Sequence, residues 1–166
     1  MANWTTHYTN KERSKIYQLK KKIKNTADPY SVPKSKERKS ERQKLIERYI
    51  AKLDKTIFCP ALDADVMITR KGTSETRSNA SYSYKSTLSA LNLREIIENA
   101  TYIKQVPVKR TSKNQKCFRH MHILICPIQN VGYAKLIVGE FYDEEKIPTK
   151  YAHYCVTHAS LQKIKK

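Results

Sequence analysis

An α+β fold is predicted by three observations. Apolar residues recur at three- and four-residue intervals in the first two thirds of the chain, three runs near its end alternate with period two, and the helical segments precede those runs. The expected architecture is a set of N-terminal helices followed by a helix packed on a small twisted antiparallel β-sheet. The 166 residues suit one ordinary domain with an appended arm and are too few for two full cores.

The elements follow in order. Residues 11–24 place Ile16, Leu19 and Ile23 at helical spacing among seven Lys and Arg, and the stretch 25–33, with Pro29 and Pro33, breaks that helix. A second helix is expected over 34–55, where Leu45, Ile46, Tyr49, Ile50 and Leu53 form a stripe that needs a packing partner. Residues 56–62 end in a turn at Pro60, and 65–70 read as a short strand closed by Lys71 and Gly72. The segment 74–84 is too polar to assign. Residues 85–102 carry Leu88, Leu91, Leu93, Ile96, Ile97 and Ala100 on one face of a helix, which Asn99 helps to stop. After a hydrophilic hinge at 108–116, the runs 118–128, 133–142 and 151–158 read as three strands of a meander.

Charge divides the chain unevenly. Lys and Arg number 33 against 15 Asp and Glu, a formal charge of +18, with a pI of about 9.8 and a mean hydropathy of −0.71. Residues 1–56 hold 16 basic and 6 acidic side chains, so +10 falls on the first third. The division expected is a basic helical extension at 1–56 and a compact body at 57–166. Such a field favours an anionic partner, whether nucleic acid, a membrane surface or an acidic protein. No run approaches the roughly 18 apolar residues of a membrane span, and the first residues lack the order of a secretion signal. Cys59, Cys117, Cys126 and Cys155 share no CxxC pair, so neither a disulfide framework nor a four-cysteine metal site is suggested. Three glycines leave no Gly-rich loop for a nucleotide, and no cofactor is expected.

Strand alternation sorts the reactive side chains. His120 and His122 share a face opposite Met121, Ile123 and Ile125; Tyr133 and Lys135 oppose Ala134, Leu136 and Val138; Tyr151, His153, Cys155 and Thr157 oppose Ala152, Tyr154 and Val156. If the registers agree, three adjacent strands present His, Lys, Tyr, His and Thr on one surface, and a one-residue slip undoes this. Those groups suffice to cleave RNA without metal: a base for the 2′-OH, a cation for the crowded phosphate and an acid for the departing 5′ oxygen. Zinc is a second reading, with Cys117, His120, His122, Cys155 and His158 as ligands, but Cys117 and His120 point to opposite faces of an extended strand. A non-catalytic nucleic-acid binder, or an inhibitor of a host nucleic-acid complex, would use the same basic surface.

Residues 66–72, Glu75 with Thr76, residues 93–100, and 134–140 with Tyr142 and Asp143 occur in an order that resembles a phage- and polymorphic-toxin-associated nuclease family. This is the large-polyvalent-protein-associated branch of the barnase, EndoU, colicin and RelE (BECR) group of ribonuclease folds. The resemblance covers about half of the chain. It implies a BECR-like nuclease domain over 57–166 and metal-independent RNA cleavage, with tRNA as one candidate substrate and no metal. It also implies a toxic module acting in the bacterial cytoplasm, delivered within a secreted or phage-borne effector and neutralised by an acidic immunity protein or antitoxin. Lys135 matches the family's strand lysine, and Lys71, Gly72, Glu75 and Thr76 match its basic-glycine-acidic turn. Members often carry a histidine shortly after that turn, where this chain reads Arg77, Ser78 and Asn79. The acid and base are therefore expected at His122 and His153, with His120 beside them, Lys135 on the phosphate, and Tyr151 and Thr157 positioning it. Lys71, Arg77, Lys85, Arg110 and Arg119 are the candidate RNA-backbone contacts.

Overall fold

The computed structural model describes residues 7–20, 23, 31–109, 111–129, 131–142 and 150–161. The first helix, α1 (Asn10–Tyr17), starts where Thr9 Oγ1 accepts the Glu12 N–H at 3.1 Å. It ends about two turns before the expected point. Ile23, expected on it, forms instead an isolated parallel bridge with Ile128. A 3-10 turn at Lys36–Arg38 leads into α2 (Lys39–Ala51), which buries Arg42, Ile46 and Ile50.

The hairpin of β1 (Thr56–Cys59) and β2 (Ala64–Met67) turns through Asp63, whose φ is +50°. Lys71 and Gly72 do not close a strand. They lie in the first turn of α3 (Arg70–Ala80), capped by Thr69. This helix buries Gly72, Thr76 and Ala80, a four-residue repeat of small side chains that carries no hydrophobic periodicity, which is why the sequence leaves 74–84 unassigned. The single helix expected over 85–102 is two helices and the start of a strand: α4 (Tyr84–Ala90), α5 (Leu93–Asn99) and β3 (Thr101–Val106). Asn92 separates the helices, its side-chain amide donating to the Leu88 carbonyl at 2.7 Å. The last three strands, β4 (Phe118–Ile128), β5 (Gly132–Phe141) and β6 (Tyr151–His158), fall within a residue of expectation.

Six strands form one sheet in the order β1-β2-β6-β5-β4-β3. The α+β class stands as expected, with one departure: β2 and β6 run parallel, pairing Val66 with Tyr151 and Met67 with Ala152, so the sheet is mixed rather than wholly antiparallel. Beyond that short contact the edge of β6 is covered by helices. Thr76 Oγ1 receives the Val156 N–H at 3.2 Å and Ser86 Oγ the His158 N–H at 3.0 Å, which satisfies an edge that would otherwise attract another strand.

A core fills each face of the sheet. On one, Leu124, Leu136, Val138 and Val156 pack with Leu88, Leu93, Ile96 and Ile97 and with Ile46 and Ile50 of α2. On the other, Met121, Ile123, Ile125 and Ile137 pack with Ile16 and Tyr8. The basic first third thus contributes apolar residues to both. Arg42 is wholly buried and donates to the backbone carbonyls of Ser81 at 2.6 Å and Pro33 at 3.2 Å, tying the start of α2 to the end of α3.

Candidate active site

Register brings four strands together at one end of the sheet. His120 on β4 stands opposite Glu140 on β5, which stands opposite Tyr151 on β6, while His122 faces Gln105 of β3. Between Phe118 and His120 the β4–β5 register shifts by one residue, and Arg119 is the residue left over. The bulge re-aims its guanidinium, so that Arg119 Nε lies 3.0 Å from Glu140 Oε2.

The other oxygen, Glu140 Oε1, is 2.8 Å from His122 Nε2, and His122 Nδ1 is 2.8 Å from the Tyr102 hydroxyl. A continuous chain therefore runs from Arg119 through Glu140 and His122 to Tyr102. The Tyr151 ring meets the His122 ring edge-on at 5.7 Å, and the His120 ring lies 6.5 Å from it. Gln105 Nε2 is 3.1 Å from His120 Nδ1, which leaves Nε2 of that histidine to act. Glu140 is 8% exposed and the Arg119 side chain 43%, so a low-dielectric carboxylate meets a cation at the edge of solvent. Burial raises the phenol pKa of both tyrosines, with the Glu140 charge adding to it, so both remain hydroxyl donors at neutral pH.

The other expected residues lie elsewhere. Lys135 pairs with Ile125 and Thr157, on the opposite face from His120 and His122. The single surface required of all five groups does not form, because His122 faces Val138 and even-numbered β5 residues share the histidine face. Lys135 is 4% exposed, and burial pulls its ammonium pKa down to about 8. Cys155 shares that face with its thiol pushed up to about 12, again by burial, with the Glu75 charge adding to it. A second register shift, between Ile137 and Val138, leaves Tyr154 unpaired and reverses the alternation along β6, which separates Thr157 from Tyr151 and His153.

His153 is on the histidine face but wholly buried beneath α3, its Nε2 2.7 Å from Thr76 Oγ1. The same Thr76 oxygen accepts the Val156 N–H, so one threonine joins α3 to the ring and to the backbone of β6. Burial drives the His153 pKa down to about 3, and a histidine held neutral out of solvent is no proton carrier for RNA. Among the expected phosphate contacts, Arg119 alone joins the cluster. Arg77 pairs with Glu47, Lys71 and Lys85 are exposed on α3 and α4, and Arg110 lies outside the described residues.

Three members of the cluster lie outside the expected set: Glu140, Tyr102 and Gln105. Glu140 sits on the strand face that alternation marks as apolar, and its signal in the sequence is a carboxylate closing the Leu136–Val138 stripe. Tyr102, expected at the end of a helix, carries no such signal. Among the described residues, no group of three His, Cys, Asp or Glu is arranged to hold a metal ion, and no helix is long and apolar enough to cross a membrane.

The sequence pattern of large polyvalent protein-associated domain 3 matches residues 36–154. The chain belongs to that family. The match begins before α2 and ends within β6, so it takes in the whole histidine cluster and crosses the expected boundary at 56/57. No curated protein and no solved structure gives a significant match. Large polyvalent protein-associated domain 3 is therefore present here as a helix-buttressed six-stranded sheet with its ionisable cluster at one end.

Proposed function

We propose that this domain is an endoribonuclease that cleaves RNA by attack of the ribose 2′-OH on the adjacent phosphate. The observation that carries the reading is the chain Arg119, Glu140, His122 and Tyr102 with His120 beside it. Glu140 accepts the 2′-OH proton. Arg119 neutralises the charge gathering on the phosphorus-bound oxygens, and His120, carrying a proton on each ring nitrogen once the Gln105 amide turns its Oε1 toward Nδ1, gives its Nε2 proton to the leaving 5′ oxygen. His122, with both ring nitrogens engaged, orients the Glu140 carboxylate, and Tyr151 packs His122 in place. The products are a 2′,3′-cyclic phosphate and a 5′-hydroxyl, and the need for a 2′-OH confines the reaction to RNA.

The net charge of +18 supports a polyanionic substrate, with tRNA among the candidates, and an acidic immunity protein or antitoxin as the neutralising partner. The same reading puts the action in the bacterial cytoplasm, after delivery within a larger effector. The test is incubation of the full chain with a defined oligoribonucleotide in EDTA, beside the same strand carrying one 2′-deoxy position. Cleavage that stops at the deoxy position, leaves a cyclic phosphate and falls by on the order of 10²-fold or more in His120→Ala is expected. Intact RNA, or cleavage after the deoxy residue, overturns the reading in favour of a binder or of another chemistry.

A further inference from the structure

A groove of about 590 Å³ opens beside the cluster and shares Gln105, Arg119 and His120 with it. Its volume is within the range of sites that take a small ligand, roughly 300–1,000 Å³. Val106, Pro107 and Val108 form an apolar wall, Lys109 and Lys116 are exposed ammonium-bearing residues, and Tyr142, 61% exposed, stands at the rim. Among the described residues, no carboxylate lines it. An exposed aromatic ring, an apolar wall and two lysines suit one nucleotide of a single strand: a surface to stack the base and charge for the phosphate.

We propose that this groove holds an unpaired nucleotide of the RNA strand next to the bond that is cut, its base stacked on Tyr142 and its phosphate met by Lys109 and Lys116. The identity of the strand rests on the ribonuclease reading; the groove's capacity to bind one does not. Because Gln105 forms the groove wall and also holds His120, a seated base fixes the register of the strand against the acid. A base in a duplex cannot stack there, so the groove selects loops and single strands over helices.

Binding and turnover test the two readings separately. The probe is a fluorescent all-2′-deoxy hexanucleotide, which the proposed chemistry cannot cut, titrated into the full chain, with its perfect duplex alongside. Tyr142→Ala is expected to weaken the single strand about tenfold, the size of one base–aromatic stack. Lys109→Ala with Lys116→Ala is expected to flatten the salt dependence of binding, its slope falling by roughly 0.7 for each phosphate no longer neutralised. With an oligoribonucleotide substrate, Tyr142→Ala raises KM by a similar factor and also lowers kcat, because the strand loses the register that the seated base sets against His120. Unchanged affinity and KM in these variants, no binding by the wild type, or equal binding of the duplex overturns the groove. Tight binding that weakens in the variants while RNA stays intact keeps the groove and removes the ribonuclease.

Discussion

The two faces of the sheet carry polar side chains on the same strands, yet they treat them oppositely. At the end of the histidine face, Arg119, Glu140, His122 and Tyr102 bond to one another in a chain that begins at solvent. On the other face, Lys135, Cys155 and Thr157 are buried, and burial moves the ammonium and the thiol toward their neutral forms. A single residue of register decides which treatment a side chain receives. A polar residue in a strand is thus a candidate for chemistry only once its face and its cover are known.

The sharpest way to break this comparison is Glu140→Gln against Lys135→Met. If the histidine face is the reactive one, Glu140→Gln lowers the rate of RNA cleavage by about 10²- to 10⁴-fold, while Lys135→Met leaves it within twofold. Equal losses would put the chemistry on both faces or on neither. Circular dichroism on both variants separates removal of a reacting group from loss of the fold.

Next in size is the packing of α3. A Cβ on Gly72 would lie 2.0 Å from the His153 carbonyl oxygen, and a backbone atom in a sheet cannot move aside. Gly72→Ala is expected to cost about 3 kcal/mol, at the upper end of what overpacking produces, read as a fall in the urea midpoint. A change below about 0.5 kcal/mol would mean that α3 does not press on β6 as described.

The buried histidine gives a smaller, pH-dependent effect. Its folded pKa, about 3, is below the unfolded value of 6.5, so the stability it confers is complete above pH 6.5 and is lost as pH falls towards 3. His153→Gln removes that proton uptake. The difference in urea midpoint between wild type and variant should shift steadily in favour of the variant from pH 6.5 down to pH 4, and a constant difference would show that His153 is not held neutral. Smallest is the counterpart on the other face. Lys135 is depressed from 10.5 to about 8, so the wild type gains stability relative to Lys135→Met as pH rises from 8 to 10.5. A flat difference across that range would place the ammonium in contact with water.

Elements whose signal is local were legible in the sequence. The alternation of 118–128, 133–142 and 151–158 marked three strands within a residue, and the shared face of His120 and His122 followed from it. The stripe Leu45, Ile46, Tyr49, Ile50 and Leu53 marked α2. Helix α3 escaped because its buried side is made of Gly72, Thr76 and Ala80, which pack by closeness of approach rather than by apolar bulk. The break at Asn92 escaped because one side-chain amide ends α4 inside an apolar run.

What the sequence determined by itself was the α+β class, the position of the three long strands, the concentration of positive charge and the pairing of His120 with His122 on one face, all properties carried within single segments. What only the tertiary structure decided was which face of each strand meets which. Strand order, the parallel contact of β2 with β6 and the two register shifts at Arg119 and Tyr154 are set by packing between distant segments. Those contacts moved Lys135 and Thr157 away from the histidines, sealed His153 under α3 and brought Glu140 and Tyr102 to His122. The physical reason is the period of two: within a strand it is exact, but between strands the phase is free until the cores choose it.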